Sequence, residues 1–198
     1  APMFLAVSGI ADILSKHISL ADWKIARLVA GEYYCERVAA LAQEALDMMI
    51  SCADTLRRGG APDFEAMTMA QMLSGLTMQL LGNSRAASGA EHLIAHLVEM
   101  KPPRFENAHG IHGECVGVGT VLCAAEYRRM ARKTPKARPF EPLSGGWIRE
   151  KFGYLAEGII EENKNDVLAS FEPQNIVDNW QAIRDIVSAI PPAEELAA

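Results

Sequence analysis

The stretch EYYCERVAALAQEALDMMISCADTLRR, residues 32–58, decides the fold. Its apolar residues recur at helical rather than alternating spacing. It ends in Arg57-Arg58 followed by Gly59-Gly60, the charge and turn residues that suit a helix C-terminus. The same pattern extends in both directions. Upstream, SGIADILSKH offers Ser8 as an N-cap, and SLADWKIARLVAG carries Leu20, Trp23, Ile25, Ala26, Leu28 and Val29 with Gly31 as a stop. Downstream, Pro62-Asp63 opens FEAMTMAQMLSGLTMQLLG, whose Met-rich and nearly all-round apolar surface predicts a helix buried on several sides, in the middle of a bundle. ASGAEHLIAHLVEM, residues 87–100, is closed by Pro102-Pro103 and leads by a polar loop into HGECVGVGTVLCAAEYRRMARK, residues 112–133. After Pro135, Pro139 and Pro142 come SGGWIREKFGYLAEGIIEENKN and PQNIVDNWQAIRDIVSAI, the latter ended by Pro191-Pro192. Seven or eight helices and no strand give an all-α class, a multi-helix bundle. With no repeat and no dividing linker, residues 1–198 read as one domain.

Composition narrows the function. A formal charge of −6 opposes a general nucleic-acid binder, which displays a basic field to phosphates. The one dense basic run, EYRRMARKTPKAR at 126–138, reads as a solvated helix end and loop. Cys35, Cys52, Cys115 and Cys123 form no CxxC pair, and reduced thiols in the cytoplasm are the simpler expectation. Asp12, Lys16 and Glu91 interrupt the apolar runs, so no membrane span is expected. The start, APMFLAVSGIADIL, has no basic n-region, which argues against a signal peptide; lacking an initiating Met, it reads as a processed chain or a piece of a longer one.

Four of the five histidines, His92, His96, His109 and His112, fall within 21 residues. On a helix, residues four apart share a face, so both imidazoles of His92-x-x-x-His96 project into one space, and a short loop can return His112 beside His92. Two histidines and one carboxylate would make a three-ligand site with open positions, as in catalytic rather than structural metal centres. A packed, hydrogen-bonded histidine pair is the alternative. Spacing offers Asp12, Asp22, Glu91 and Glu114 as the carboxylate and does not choose among them. Glu91 points off the histidine face and reads as solvated; Asp12, in a first turn after an N-cap, could serve the helix dipole alone. GECVGVGTVL lacks the GxGxxG spacing and a preceding strand, so its glycines read as a close helix contact. Cys115 is either a nucleophile or a buried structural thiol. Neither a GxSxG elbow nor a P-loop is present.

Three motifs in order, SGIADILSKHISLADWK (8–24), NSRAASGAEHLIAHLVEM (83–100) and HGIHGECVGVGT (109–120), resemble the C-terminal helical half of glycerol-1-phosphate dehydrogenases. These belong to the superfamily of metal-dependent polyol dehydrogenases, iron-type alcohol dehydrogenases and dehydroquinate synthases. The resemblance runs from about residue 1 to residue 188, and the SGAEHxxxH motif with Ala21-Asp22-Trp23-Lys24 favours the glycerol-1-phosphate branch. It implies a metal, zinc or alternatively nickel or iron, held by Asp12, His92 and His112. It places His96 beside the reacting carbon as the catalytic candidate. Ser84 and Arg85 become candidate phosphate or cofactor contacts. Ala11 stands where the family usually has Gly, and a methyl there would crowd the backbone near the metal. The implied reaction interconverts glycerol 1-phosphate and dihydroxyacetone phosphate with NAD or NADP. The nicotinamide would be carried by an N-terminal nucleotide-binding domain with no counterpart in this chain, which alone should therefore be inactive. Two alternatives stand beside this: a non-catalytic helical module that keeps the fold, and a cyclase domain of the dehydroquinate synthase type. Whether the chain forms a homo-oligomer is left open.

Overall fold

A computed structural model describes residues 2–100, 107, 109–139, 144–162 and 172–197 of the protein. Among the described residues there are eleven helices and no strand, in agreement with the all-α expectation. They are α1 (Met3–Leu14), α2 (Lys16–Ala30), α3 (Glu36–Arg57), α4 (Phe64–Leu81), α5 (Ala90–Glu99), α6 (His112–Ala131), α7 (Gly145–Phe152), α8 (Ala156–Glu162), α9 (Gln174–Asp178), α10 (Trp180–Ser188) and α11 (Ala193–Leu196). Pro102-Pro103, Pro142 and the last residues of EENKN lie outside the described residues.

The stops are where the glycines predict them. Gly31, Gly59 and Gly82 have φ of 66°, 77° and 76°, the left-handed conformation that closes a helix without a Cβ penalty. The count exceeds the expected seven or eight because two predicted helices are broken and a short helix, α11, follows Pro191-Pro192 where none was expected. SGGWIREKFGYLAEG is interrupted at Gly153, φ 55°, by a 3-10 turn over Gly153–Leu155, and PQNIVDNWQAIRD is divided at Asn179.

Two expectations are corrected. Ser8 caps nothing, because α1 begins five residues earlier at Met3 and Ser8 is buried in its middle. Asp12 therefore sits in the last turn of α1, where the helix dipole disfavours an anion. Its presence there calls for another cause. α4 is also not central: it buries only Met67, Ala70, Ser74 and Thr77, while Met72 and Leu80 are 67% and 58% exposed. Its apolar residues wind around the whole helix, but α3 and α1 cover one side only.

Asp63 caps α4, its side chain accepting from the Ala66 N–H at 3.0 Å. Asp63→Ala is expected to lower the unfolding free energy by ~1 kcal/mol, read from a urea denaturation midpoint at unchanged m-value.

Among the described residues four apolar clusters hold the bundle, one of them, Ala95 with Cys115 and Val116, between α5 and α6. Ile10, Ile13, Met49 and Met67 join α1, α3 and α4; Trp23, fully buried, meets Val38 and Ala42; Ile18, Cys123, Ala124 and Ile190 tie α2 and α6 to the C-terminal helices. α1 and α2 follow one another across Ser15, and Met3–Ala30 is long and apolar enough by composition to cross a membrane. Half of its most apolar 18-residue window is buried inside the bundle, and the two helices carry Asp12, Lys16 and Asp22, whereas Met3, Phe4, Leu5 and Val7 at the start of α1 are exposed.

α6 is the strip that aligns the rest. A Cβ on Gly113 would fall 2.0 Å from the Ser8 carbonyl oxygen of α1, and one on Gly119 would fall 2.3 Å from the Glu91 carbonyl oxygen of α5. Glycine is required at both crossings, and the close helix contact read from GECVGVGTVL is made twice. The Ala11 methyl, expected to crowd the backbone near the metal, instead lies against Gly117 of α6, whose own Cβ would come 3.1 Å from it.

Candidate metal centre

With α1 and α5 both seated on α6, the C-terminal end of α1, the body of α5 and the first residue of α6 meet. Asp12, His92 and His112 each offer a ligand atom, and these atoms lie within 4.8 Å of one another. His92 Nε2 is 3.3 Å from Asp12 Oδ1, and His112 Nε2 is 3.8 Å from the same oxygen. Four-coordinate zinc with bonds of ~2.0–2.1 Å separates its ligand atoms by roughly 3.3 Å, so the spacing suits a cation. Asp12 Oδ1 is buried and, among the described residues, has only the two imidazole nitrogens near it, neither in a well-formed hydrogen bond. A buried carboxylate oxygen without a donor is costly unless something cationic sits against it. Two imidazole nitrogens and one carboxylate oxygen suit zinc and its neighbours among the divalent metals. The residues present therefore fit the group that the resemblance implies.

The far nitrogens of both rings are also engaged. His92 Nδ1 lies 2.8 Å from Glu91 Oε1, and His112 Nδ1 lies 2.7 Å from Glu99 Oε1. Glu91 is fully buried, contrary to the solvated placement expected for it, and its Oε1 also accepts the Gly89 N–H at 2.8 Å. Glu99 shares the His92 and His96 face at the i, i+4, i+7 spacing, a signal that could have identified it. Glu91, one residue before His92, carries no such signal. Its burial comes from the tertiary approach of α6 at Gly119 and of α2 at Ser19, beside Gly89.

The electrostatics are those of a cation site. Burial pulls the His92 pKa down, but the Asp12 and Glu91 carboxylates outweigh it and push it up to about 9. Burial works to raise the Asp12 pKa, and His92, Lys16 and His112 together hold it below the usual carboxylate value. Lys16, one turn beyond Asp12 and fully buried, is pulled down to about 8 by its own desolvation, against the pull of Asp12 and Glu91.

The other candidates separate. His96 is exposed at the edge of the site, its ring stacked on His112 with centroids 5.8 Å apart and 6.1 Å from His92. His96 and Glu99 also form a second three-ligand grouping with His112, through the same Glu99 carboxylate that meets the ring at hydrogen-bonding distance. Asp22 is taken up by α5, accepting from the Ala90 N–H at 2.8 Å and the Tyr127 hydroxyl at 2.5 Å. Glu114 accepts the Ile111 N–H at the start of α6, and His109 is exposed without joining either grouping. Cys115 is buried beside Ala95 and Val116, and burial raises its pKa, which suits a structural thiol. Ser84 and Arg85 do not reach the centre. Arg85 pairs with Glu32 through two contacts of 2.8 and 3.0 Å, and both candidates line a separate cavity of about 760 Å³ with Tyr127, Trp180 and Ile183.

No family model matches the chain. Among curated proteins it is 38% identical over 130 residues to a glycerol-1-phosphate dehydrogenase [NAD(P)+] of Bacillus licheniformis, covering 66% of this chain and 32% of that one. The protein of the same name from Sulfolobus acidocaldarius is 35% identical over 140 residues, 69% of this chain and 39% of its own length. That from Bacillus subtilis is 36% identical over 132 residues, 67% and 34%. The matched stretch thus spans about a third of the length of each of these curated relatives.

Proposed function

We propose that this chain, a homologue of part of the glycerol-1-phosphate dehydrogenases, is the metal-holding helical domain of a polyol-phosphate oxidoreductase of that kind. The observation that carries the reading is the convergence of Asp12 Oδ1, His92 Nε2 and His112 Nε2 on one point from three helices, around a carboxylate oxygen that has no other partner.

A divalent cation held there supplies Lewis acidity to a substrate hydroxyl or carbonyl oxygen during hydride transfer to or from a nicotinamide. The chain's own residues do the rest. Asp12, His92 and His112 would hold such a cation by three ligands, the number that catalytic sites of this kind use. His92 is nine-tenths buried and keeps bulk water from the inner side, whereas His112 and His96, both exposed, border the outer side, where substrate would enter. His96, stacked on His112, is placed to orient the polyol or exchange a proton with it. Zinc is the metal this nitrogen-rich set favours, with nickel and iron as neighbours in ligand preference. The relatives' names carry NAD(P)+, and we assign the nicotinamide contacts to the part of such a protein that lies outside the match. Four unpaired cysteines support a reducing, cytoplasmic setting.

The test is a zinc titration of the chain against a chromophoric chelator after metal has been stripped. One equivalent bound in the submicromolar range is expected; no binding above that of a chelator-treated control of unrelated sequence would defeat the reading.

A further inference from the structure

Resting on that metal-site reading and going one layer beyond it, we propose that Glu91 is a positioning residue for the cation, and that its partner Glu99 plays the same part more weakly. Glu91 is a carboxylate with no exposed surface, and burying a charge is expensive unless partners offset the loss of water. Among the described residues its Oε2 has no hydrogen-bond partner, and its Oε1 divides itself between the Gly89 N–H and His92 Nδ1. Accepting the Gly89 N–H at the start of α5 does not require a charge, since the neutral amide oxygen of a glutamine would serve as well. What the charge does supply is a fixed acceptor behind the His92 ring. With Nδ1–H directed to Glu91, Nε2 faces the point beside Asp12 Oδ1, and its lone pair would be the one offered to a cation bound there. Glu99 repeats the arrangement behind His112, but it is one-third exposed and its ring partner about half exposed. Solvent weakens the second pair, so the two carboxylates should contribute unequally.

Both carboxylates lie on Nδ1 and both Nε2 atoms on the side of Asp12, so with a cation bound the two rings would share one tautomer.

The experiment measures zinc affinity of the 198-residue chain and of Glu91→Gln and Glu99→Gln by chelator competition, with far-UV circular dichroism as a fold control. Gln keeps an oxygen for the Gly89 N–H and removes the charge. Glu91→Gln is expected to weaken zinc ~10–100-fold at unchanged helix content, and Glu99→Gln only a few-fold. Affinity of Glu91→Gln within twofold of the unaltered chain overturns the proposal while leaving the metal site standing. An unaltered chain that binds no zinc overturns the metal site itself, and the proposal with it. Because Glu91→Gln can fail to fold, a second measurement uses the unaltered zinc-loaded chain. Nitrogen-15 shifts of the His92 ring should show Nδ1 protonated and Nε2 bound to metal, and the opposite tautomer overturns the assignment.

Discussion

His92→Ala is expected to abolish zinc binding by the chain, whereas His96→Ala, only four residues away, leaves affinity within a few-fold of the original. The two side chains share a helix face, but their surroundings differ. His92 is 8% exposed, has Nε2 3.3 Å from Asp12 Oδ1 and is braced from behind by Glu91. His96 is exposed, and the grouping that includes it also consists of exposed residues, so water competes for every ligand. Removing one of three direct ligands should cost more than the ~10–100-fold that loss of an outer partner costs. Chelator competition on both variants decides the matter. Equal losses would mean that the cation is held through the His96, Glu99 and His112 grouping instead.

Gly119→Ala is the second large effect. The added Cβ would meet the Glu91 carbonyl oxygen at 2.3 Å and the Glu91 carbonyl carbon and Cα at 3.1 and 3.2 Å. All of these are backbone atoms, so no rotamer change relieves the clash, and α5 must move off α6. Overpacking of this kind costs ~1–3 kcal/mol, and a rigid backbone contact belongs at or above the upper end. A substantial drop in the denaturation midpoint should accompany a loss of zinc affinity, because moving Glu91 moves His92. Ala substitution at Gly75, where a Cβ meets nothing within 4 Å, serves as the control and should be neutral or mildly stabilising.

Much of this was legible in the sequence, for identifiable reasons. Helix stops at Gly31, Gly59 and Gly82 could be read because left-handed closure is a local property of glycine. The exposed apolar side of α4 was not legible, because composition records how apolar a helix is and not how many neighbours reach it. Histidine spacing correctly brought His92, His96 and His112 into one region. It could not choose Asp12 over Asp22, Glu91 and Glu114, because that choice depends on α1 crossing α6 at Gly113, a contact between residues about 100 positions apart. Reading Ser8 as a cap placed Asp12 at the wrong end of its helix, which made a dipole explanation available that the structure removes. Glu91 was the largest miss: a charged side chain beside a ligand on a helix points away from it, and only the fold shows that this direction leads inward.

The three helices that deliver Asp12, His92 and His112 are far apart along the chain, with 79 residues between the first two ligands and 19 between the last two. No short segment can therefore assemble the centre, and an unfolded chain offers a cation only scattered single donors. Affinity for metal is thus tied to completion of the tertiary structure: the bound ion favours the finished arrangement over every partly assembled one, by RT ln(1 + [L]/Kd). Under the proposed reading, a cation at that point would hold together, at one end, three helices that cross at two glycines, as an atom that belongs to none of them.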